Sequence, residues 1–122
     1  MKNIQKIILF FTSIVLLHFF ANTFGLYEMS FVWFDNILHI LTGIGFGLVW
    51  LWVFRGSLKG AIIFVVALAI LWELLEFGFL QLFPIYAYKL SIFSPNIGEA
   101  LEDIFSNIFG VAIMAIYLKL KE

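Results

Sequence analysis

Two glutamates inside a stretch long enough to span a membrane constrain this sequence more than any other feature. Glu73 and Glu76 lie in an apolar run from Ala61 to Phe83, and a helix needs about 20 residues to cross a bilayer. A carboxylate that faces lipid at the centre of a membrane helix costs roughly 2.5–3.5 kcal/mol on insertion scales. Because residues three apart share one face of a helix, we expect both side chains to face other helices.

The composition predicts that the whole chain lies in a membrane. Of its 122 residues, 64% are hydrophobic and 12% are charged, and the mean hydropathy is +1.10. A soluble domain has about 45–50% apolar and about 25% charged residues. The net charge of −1 gives no reason to expect a nucleic-acid partner. The lack of cysteine excludes disulfides and thiolate metal sites. We expect one all-α, polytopic membrane domain over residues 1–122, in contact with membrane lipid.

Four apolar stretches predict a bundle of four transmembrane helices, at residues 4–20, 32–54, 61–83 and 97–120. Pro84 marks the end of the third span. Residues 85–98 form the longest connection, in which Ser94 and Pro95 are typical of a helix start. The first stretch is short and begins beside Lys2 and Lys6, so a cleaved signal peptide is the alternative to a first span.

The distribution of lysine and arginine predicts the orientation in the membrane. Six of these residues lie at the two termini and in the loop after the second span, whereas only Lys89 lies on the other side. Short loops rich in lysine and arginine stay in the cytoplasm. We therefore expect a multi-pass protein of the cell (inner) membrane with both termini cytoplasmic, which an even number of spans satisfies.

Polar residues of three spans fall at similar depths in the membrane. At about 1.5 Å per residue, His39 and Glu76 lie roughly 10 Å from the outer ends of their spans, and Glu73 and Asn107 roughly 15 Å. The cytoplasmic halves are almost purely apolar, and glycines such as Gly43 would let helices approach closely. We expect a polar chamber that opens outward in the outer half of the bundle. Its residues are Asp35, His39, Glu73, Glu76, Asp103 and Asn107.

The residue types in this chamber are typical of acid–base or cation chemistry. Asp35 lies four residues before His39, where a carboxylate can orient the imidazole and raise its basicity. Glu73 and Glu76 cannot both ionise easily when they lie close together in a low dielectric. Such a pair suits a general acid that works with a base, or a proton or metal site.

The start of the fourth span contributes further polar residues. Asp103 and Asn107 lie deep and on one face, so we expect them to position a substrate or an ion. Glu99 and Glu102 lie nearer the surface, where acidic residues commonly complement the dipole of a helix amino terminus. For every chamber residue the alternative is a structural role in hydrogen bonds between helices.

A metal cofactor is one option that the sequence leaves open. Carboxylates and imidazole suit a hard or borderline divalent cation, and the candidate ligands are His39, Glu73, Glu76 and Asp103. The Glu-x-x-His motif of di-metal bundles is absent from the sequence. The cofactor and the oligomeric state therefore stay unassigned at this level.

Three motifs resemble those of a known kind of protein. They are Asp-x-x-x-His at residues 35–39, Trp-Glu-x-x-Glu at 72–76 and Asp-x-x-x-Asn-x-x-Gly at 103–110. Together they resemble the small bacterial inner-membrane proteins of the VanZ-like and YjdF-like kind, and the second motif is more similar to the YjdF-like branch. The resemblance implies a multi-span helical protein and a site at the six chamber residues. It implies no particular reaction.

Three hypotheses for function follow. The first is an enzyme or binding protein for a lipid-linked or amphipathic envelope substrate, in which Asp35 orients His39 as a base and the Glu73/Glu76 pair supplies an acid. The second is a proton or cation relay, or a transporter subunit. The third is a structural membrane protein in which a buried polar network fixes the helix packing. The apolar cytoplasmic half argues against transport by a monomer.

Overall fold

Five helices make up the protein, whose computed structural model describes residues 2–25, 32–90 and 97–122. They are α1 (Lys2–Thr23), α2 (Val32–Trp52), α3 (Leu58–Leu82), α4 (Pro84–Lys89) and α5 (Ile97–Lys121). In the described ranges all regular structure is helical. All except α4 are long and apolar enough to cross a membrane. The expected all-α class with four candidate spans is confirmed.

Two glycines bring the backbones of α2 and α5 into close contact. A Cβ atom on Gly43 would lie 2.1 Å from the carbonyl oxygen of Asn107, and one on Gly110 would lie 2.0 Å from that of Ile40. Each glycine thus faces the residue three positions before the other glycine, and the two backbones touch. Small residues allow this approach in membranes, where dispersion and backbone contacts drive helix association. The prediction that glycine permits close packing is confirmed here.

An apolar core fills one end of the bundle, where α2 and α5 end and α3 begins. Its fully packed members are Ala61, Val65, Val111 and Met114. We call this the basic end, because Arg55, Lys59, Lys119 and Lys121 lie around it. The opposite end, where α2 and α5 begin and α3 ends, is the polar end. The two ends therefore differ in chemistry, as the sequence predicts.

Helix α1 packs along α2 and is longer than its apolar stretch. Gly45 of α2 meets ring atoms of Phe10 and Phe11, each of which would lie 2.8 Å from a Cβ at that position. The helix continues to Thr23, beyond the predicted end at residue 20. The extension has a physical reason, because the polar side chains of its last turns bond to the end of α4.

A short helix occupies the beginning of the connection after α3. The sequence assigns residues 85–98 to the longest connection, and α4 forms in the first part of it. Pro84 starts α4 because its fixed φ suits the first helical position. His18 Nε2 lies 3.0 Å from the carbonyl oxygen of Leu90, and Asn22 Nδ2 donates to that of Lys89 at 3.0 Å. These bonds satisfy carbonyls that the end of a helix leaves open. Ser94 and Pro95 lie outside the described residues.

Candidate functional site

Three helices bring the six predicted polar side chains together at the polar end. Helix α2 provides two of them, α3 provides two and α5 provides two. Four are more than nine-tenths buried, with exposed fractions of 8%, 8%, 7% and 5% for Glu73, Glu76, Asp103 and Asn107. We call the six the carboxylate cluster: Asp35, His39, Glu73, Glu76, Asp103 and Asn107.

Asp103 is the centre of the carboxylate cluster. One set of mutually close ligand atoms, all within 4.8 Å of one another, comes from Asp35, His39 and Asp103. A second set, within the same distance, comes from Glu73, Glu76 and Asp103. Asp103 belongs to both, so its carboxyl group links the residues of α2 with those of α3.

Helix α3 turns its glutamates inward and its leucines toward the surrounding lipid. Glu73 and Glu76 are buried, whereas the intervening Leu74 and Leu75 are 63% and 57% exposed. This agrees with the expectation that the two carboxylates share an interior face. The indole Nε1 of Trp72 donates a hydrogen bond to Oε1 of Glu76 at 2.5 Å, one helical turn away. That donor was missed at the sequence level, although its i,i+4 spacing was a usable signal.

His39 has a polar neighbour at each ring nitrogen. Its Nε2 atom lies 3.3 Å from Oδ1 of Asp103 and 3.7 Å from Oδ1 of Asp35. Its Nδ1 atom lies 3.1 Å from Nδ2 of Asn107. The imidazole therefore bridges the two aspartates and the asparagine, and fills the space between α2 and α5.

The amide of Asn107 determines which ring nitrogen carries the proton. Its Nδ2 atom donates to the backbone carbonyl oxygen of Asp103 at 2.9 Å. A carbonyl only accepts, so the NH₂ group must be on that side, and its second hydrogen points at Nδ1 of His39. Nδ1 is then the acceptor and Nε2 carries the hydrogen, which faces the two aspartates. In this tautomer Nε2 is a hydrogen-bond donor and not a metal ligand.

The charge distribution around the carboxylate cluster favours cations. Its ionisable members are four carboxyl groups and one imidazole, and all seven lysine and arginine residues of the chain lie near helix ends or in connections. Ionisable residues at membrane depth pair with one another or mark ion and substrate sites. The side chain of Asp35 is 45% exposed, so the cluster has an open edge on α2 at the polar end.

Fold and site together define an integral membrane protein with four candidate spans and a buried carboxylate cluster near one end of its helices. The chain matches the family DUF2238, described as a predicted membrane protein, over residues 3–121. The match covers almost the whole chain, so the protein belongs to this family. No curated protein and no solved structure showed a match to the chain.

Proposed function

We propose that this protein binds a divalent cation inside the membrane through Glu73, Glu76 and Asp103. The bound cation would hold the charged group of a lipid-linked or amphipathic substrate of the cell envelope. The observation that supports this most is the second set of ligand atoms. Three buried carboxylates from two helices offer oxygens within 4.8 Å of one another. Two oxygens bound to one Ca²⁺ at about 2.3–2.6 Å are at most about 5 Å apart, so the spacing fits a shared ion.

The donor set favours a hard cation. Carboxylate oxygen suits Mg²⁺, Ca²⁺ and Mn²⁺, whereas zinc sites usually contain nitrogen or sulfur. His39 presents a protonated Nε2 to Oδ1 of Asp103 at 3.3 Å and so acts beside the metal ligands, where it would orient the carboxylate. Asp35, with its partly exposed side chain, lies at the open edge of the cluster, where its carboxylate would attract the incoming cation. In this proposal Asp35 and His39 position the other groups of the site, and the two glutamates of α3 are ligands of the cation.

Metal titration of the purified protein tests the proposal. Chelator-treated protein in detergent should take up one Mn²⁺ or Ca²⁺ per chain, measured by equilibrium dialysis. Glu73→Gln keeps the size of the side chain but removes a charged ligand, so affinity should fall at least about tenfold, which is about 1.4 kcal/mol. Glu99→Gln is the matched control, because it removes an exposed acid of α5 that lies outside the carboxylate cluster. Equal binding by the native protein and the Glu73→Gln variant refutes the metal site.

The same variant separates binding from a purely structural role. If Glu73→Gln inserts and stays folded in detergent but binds no metal, the cluster is a binding site. If it unfolds while the native protein shows no metal uptake, the carboxylates serve to hold the bundle together. Far-ultraviolet circular dichroism and gel filtration report the folded state in both cases.

A proton relay is the second candidate, and one observation favours it. Asp103 belongs to both sets of close ligand atoms, so a chain of proton-accepting groups extends from the partly exposed Asp35 to the buried Glu73. The apolar core of the basic end contains Val65 and Val111 and offers no continuation of that chain among the described residues. Proton flux into liposomes that contain the purified protein would favour the relay. An absence of flux would exclude the relay, and cation binding would remain as the proposed function.

The proposed location is the inner membrane, with the polar end outside. The basic end carries Arg55, Lys59, Lys119 and Lys121, and such ends stay in the cytoplasm. A phosphatase reporter fused after Glu122 should be inactive, because it needs an oxidising compartment, and a fluorescent protein at the same place should be bright. An active phosphatase there would contradict the orientation and place the carboxylate cluster on the cytoplasmic side.

A further inference from the structure

A second polar set lies on the other side of the contact between α2 and α5. It lines an open groove of about 720 Å³, within the range of about 300–1,000 Å³ that ligand sites have. The polar part of the groove consists of Asn36, Glu102 and Ser106. Each of them is next in sequence to a residue of the carboxylate cluster but faces the groove. The rest of the lining is apolar: Ile40, Phe105, Ile108, Phe109 and Ala112.

The three polar side chains have no partner within the part of the chain that the structure describes. Asn36, Glu102 and Ser106 make no side-chain hydrogen bond or ion pair there. Ser106 differs in this from Ser13 and Thr42, which donate to the carbonyl four residues earlier at 2.9 and 2.8 Å. Ser106 lies four residues, about 6 Å, below Glu102 along α5, and a polar group without a partner is costly in hydrocarbon. The common direction of the three side chains into one groove indicates that a ligand satisfies them.

The length of the groove fits one leaflet of a bilayer. From Glu102 to Ala112 helix α5 rises about 15 Å, which is half of a hydrocarbon core of about 30 Å. The midpoint of α5 is close to Phe109, so the groove extends from the polar edge of the membrane to about its middle. Its polar residues lie toward the polar end, and its apolar side chains continue from there toward the middle of the membrane. A lipid with its headgroup at Glu102 and one acyl chain beside Phe109 has this same division.

We propose that this groove binds a phospholipid with an ammonium headgroup, phosphatidylethanolamine, from the leaflet on the polar end. The carboxylate of Glu102 accepts hydrogen bonds from the ammonium group, and the amide of Asn36 and the hydroxyl of Ser106 donate to the phosphate. An anionic headgroup such as that of phosphatidylglycerol lacks the ammonium and is repelled by Glu102. Among the described residues, no lysine or arginine lines the groove to favour a lipid with a net negative charge. The site is separate from the carboxylate cluster and does not depend on the proposed cation.

Lipid titration of the full chain tests this inference. Delipidated protein in detergent is mixed with phosphatidylethanolamine or phosphatidylglycerol of the same acyl chains, and bound lipid is counted by native mass spectrometry. The native protein should bind phosphatidylethanolamine about fivefold more tightly than phosphatidylglycerol. One charge near a membrane surface contributes about 1 kcal/mol, which corresponds to this factor. Glu102→Gln should lose this preference, and Glu99→Gln, whose carboxylate lies outside the groove lining, should keep it.

Three results would overturn the inference. The first is equal or tighter binding of phosphatidylglycerol by the native protein, and the second is a preference that survives in Glu102→Gln. The third is occupation of the groove by a second copy of the chain. Because the sequence has no cysteine, Ala112→Cys introduces a single thiol, and efficient disulfide cross-linking at that position in a membrane would show such a dimer. Loss of metal binding in Glu73→Gln with the lipid preference intact would leave this inference standing.

Discussion

Replacing Gly43 by alanine should separate α2 from α5 and destabilise the protein. The new Cβ atom would lie 2.1 Å from the carbonyl oxygen of Asn107, whereas ordinary van der Waals contact begins at 3.4 Å. The helices would have to move apart by about 1.3 Å at this point, because the obstacle is backbone and cannot rotate away. Gly110, which meets the carbonyl of Ile40 in the same manner, would lose its own close contact as a result.

The size of the effect can be set against a matched glycine. In a helix alanine is about 1 kcal/mol more favourable than glycine, and overpacking typically costs about 1–3 kcal/mol. At a rigid backbone contact we take the upper value, so Gly43→Ala should lower the free energy of unfolding by about 2 kcal/mol. A Cβ atom on Gly78 of α3 would meet no other element of the described chain within 4 Å. Gly78→Ala should therefore leave stability unchanged or raise it by up to about 1 kcal/mol.

Unfolding in mixed micelles measures this difference. Each variant is titrated with dodecyl sulfate and its helicity is followed by circular dichroism, so that native, Gly43→Ala and Gly78→Ala proteins are compared under one condition. The Gly43 variant should unfold at a lower mole fraction of the denaturing detergent. If it is as stable as the Gly78 variant, the α2–α5 contact is not as close as described, and the arrangement of the carboxylate cluster across it fails as well.

Two further predictions concern individual side-chain hydrogen bonds. Asn107→Asp replaces an NH₂ donor by an acceptor that faces the carbonyl of Asp103, so the free energy of unfolding should fall by about 1–3 kcal/mol. ¹⁵N spectra should also show that the proton of the His39 imidazole leaves Nε2. An unchanged tautomer would contradict the assignment. Asn22→Leu removes the hydrogen-bond donor to the carbonyl of Lys89, so hydrogen exchange in α4 should accelerate while the free energy of unfolding falls by about 0.6 kcal/mol. The control is Ser13→Ala, which loses only a bond within α1 and should leave exchange in α4 unchanged.

The sequence predicts the spans and the meeting of the polar residues for simple physical reasons. A bilayer fixes the length of a span, and a helix fixes the rise per residue. Glu73, His39 and Asp103 therefore have depths that can be counted from the ends of their helices. The cost of an ionisable side chain in lipid then turns all three toward the interior. The structure brings these side chains together as that argument requires.

Contacts that depend on the rotation and tilt of helices could not be predicted in this way. Nothing in residue spacing shows that Asp103 belongs to two sets of ligand atoms, or that Asn107 binds Nδ1 of the imidazole. The same limit applies to α4, since a six-residue helix has too few turns for a periodic pattern. Depth in the membrane alone assigns Glu102 to the helix dipole, because it gives no information on the groove beside this residue, whose other wall comes from α2.

The contact between α2 and α5 therefore lies between two sets of polar residues, and neighbours in sequence belong to different sets. Asp35 and Asp103 belong to the carboxylate cluster, while their neighbours Asn36 and Glu102 line the groove. Residues one apart differ in direction by about 100° on a helix, so these neighbours face opposite sides of the α2–α5 contact. The close approach at Gly43 therefore sets the geometry of both the carboxylate cluster and the groove. Glu73→Gln should then weaken cation binding alone, Glu102→Gln should change lipid preference alone, and Gly43→Ala should impair both. If Gly43→Ala impaired one and spared the other, the two sites would not share the helix contact that joins them here.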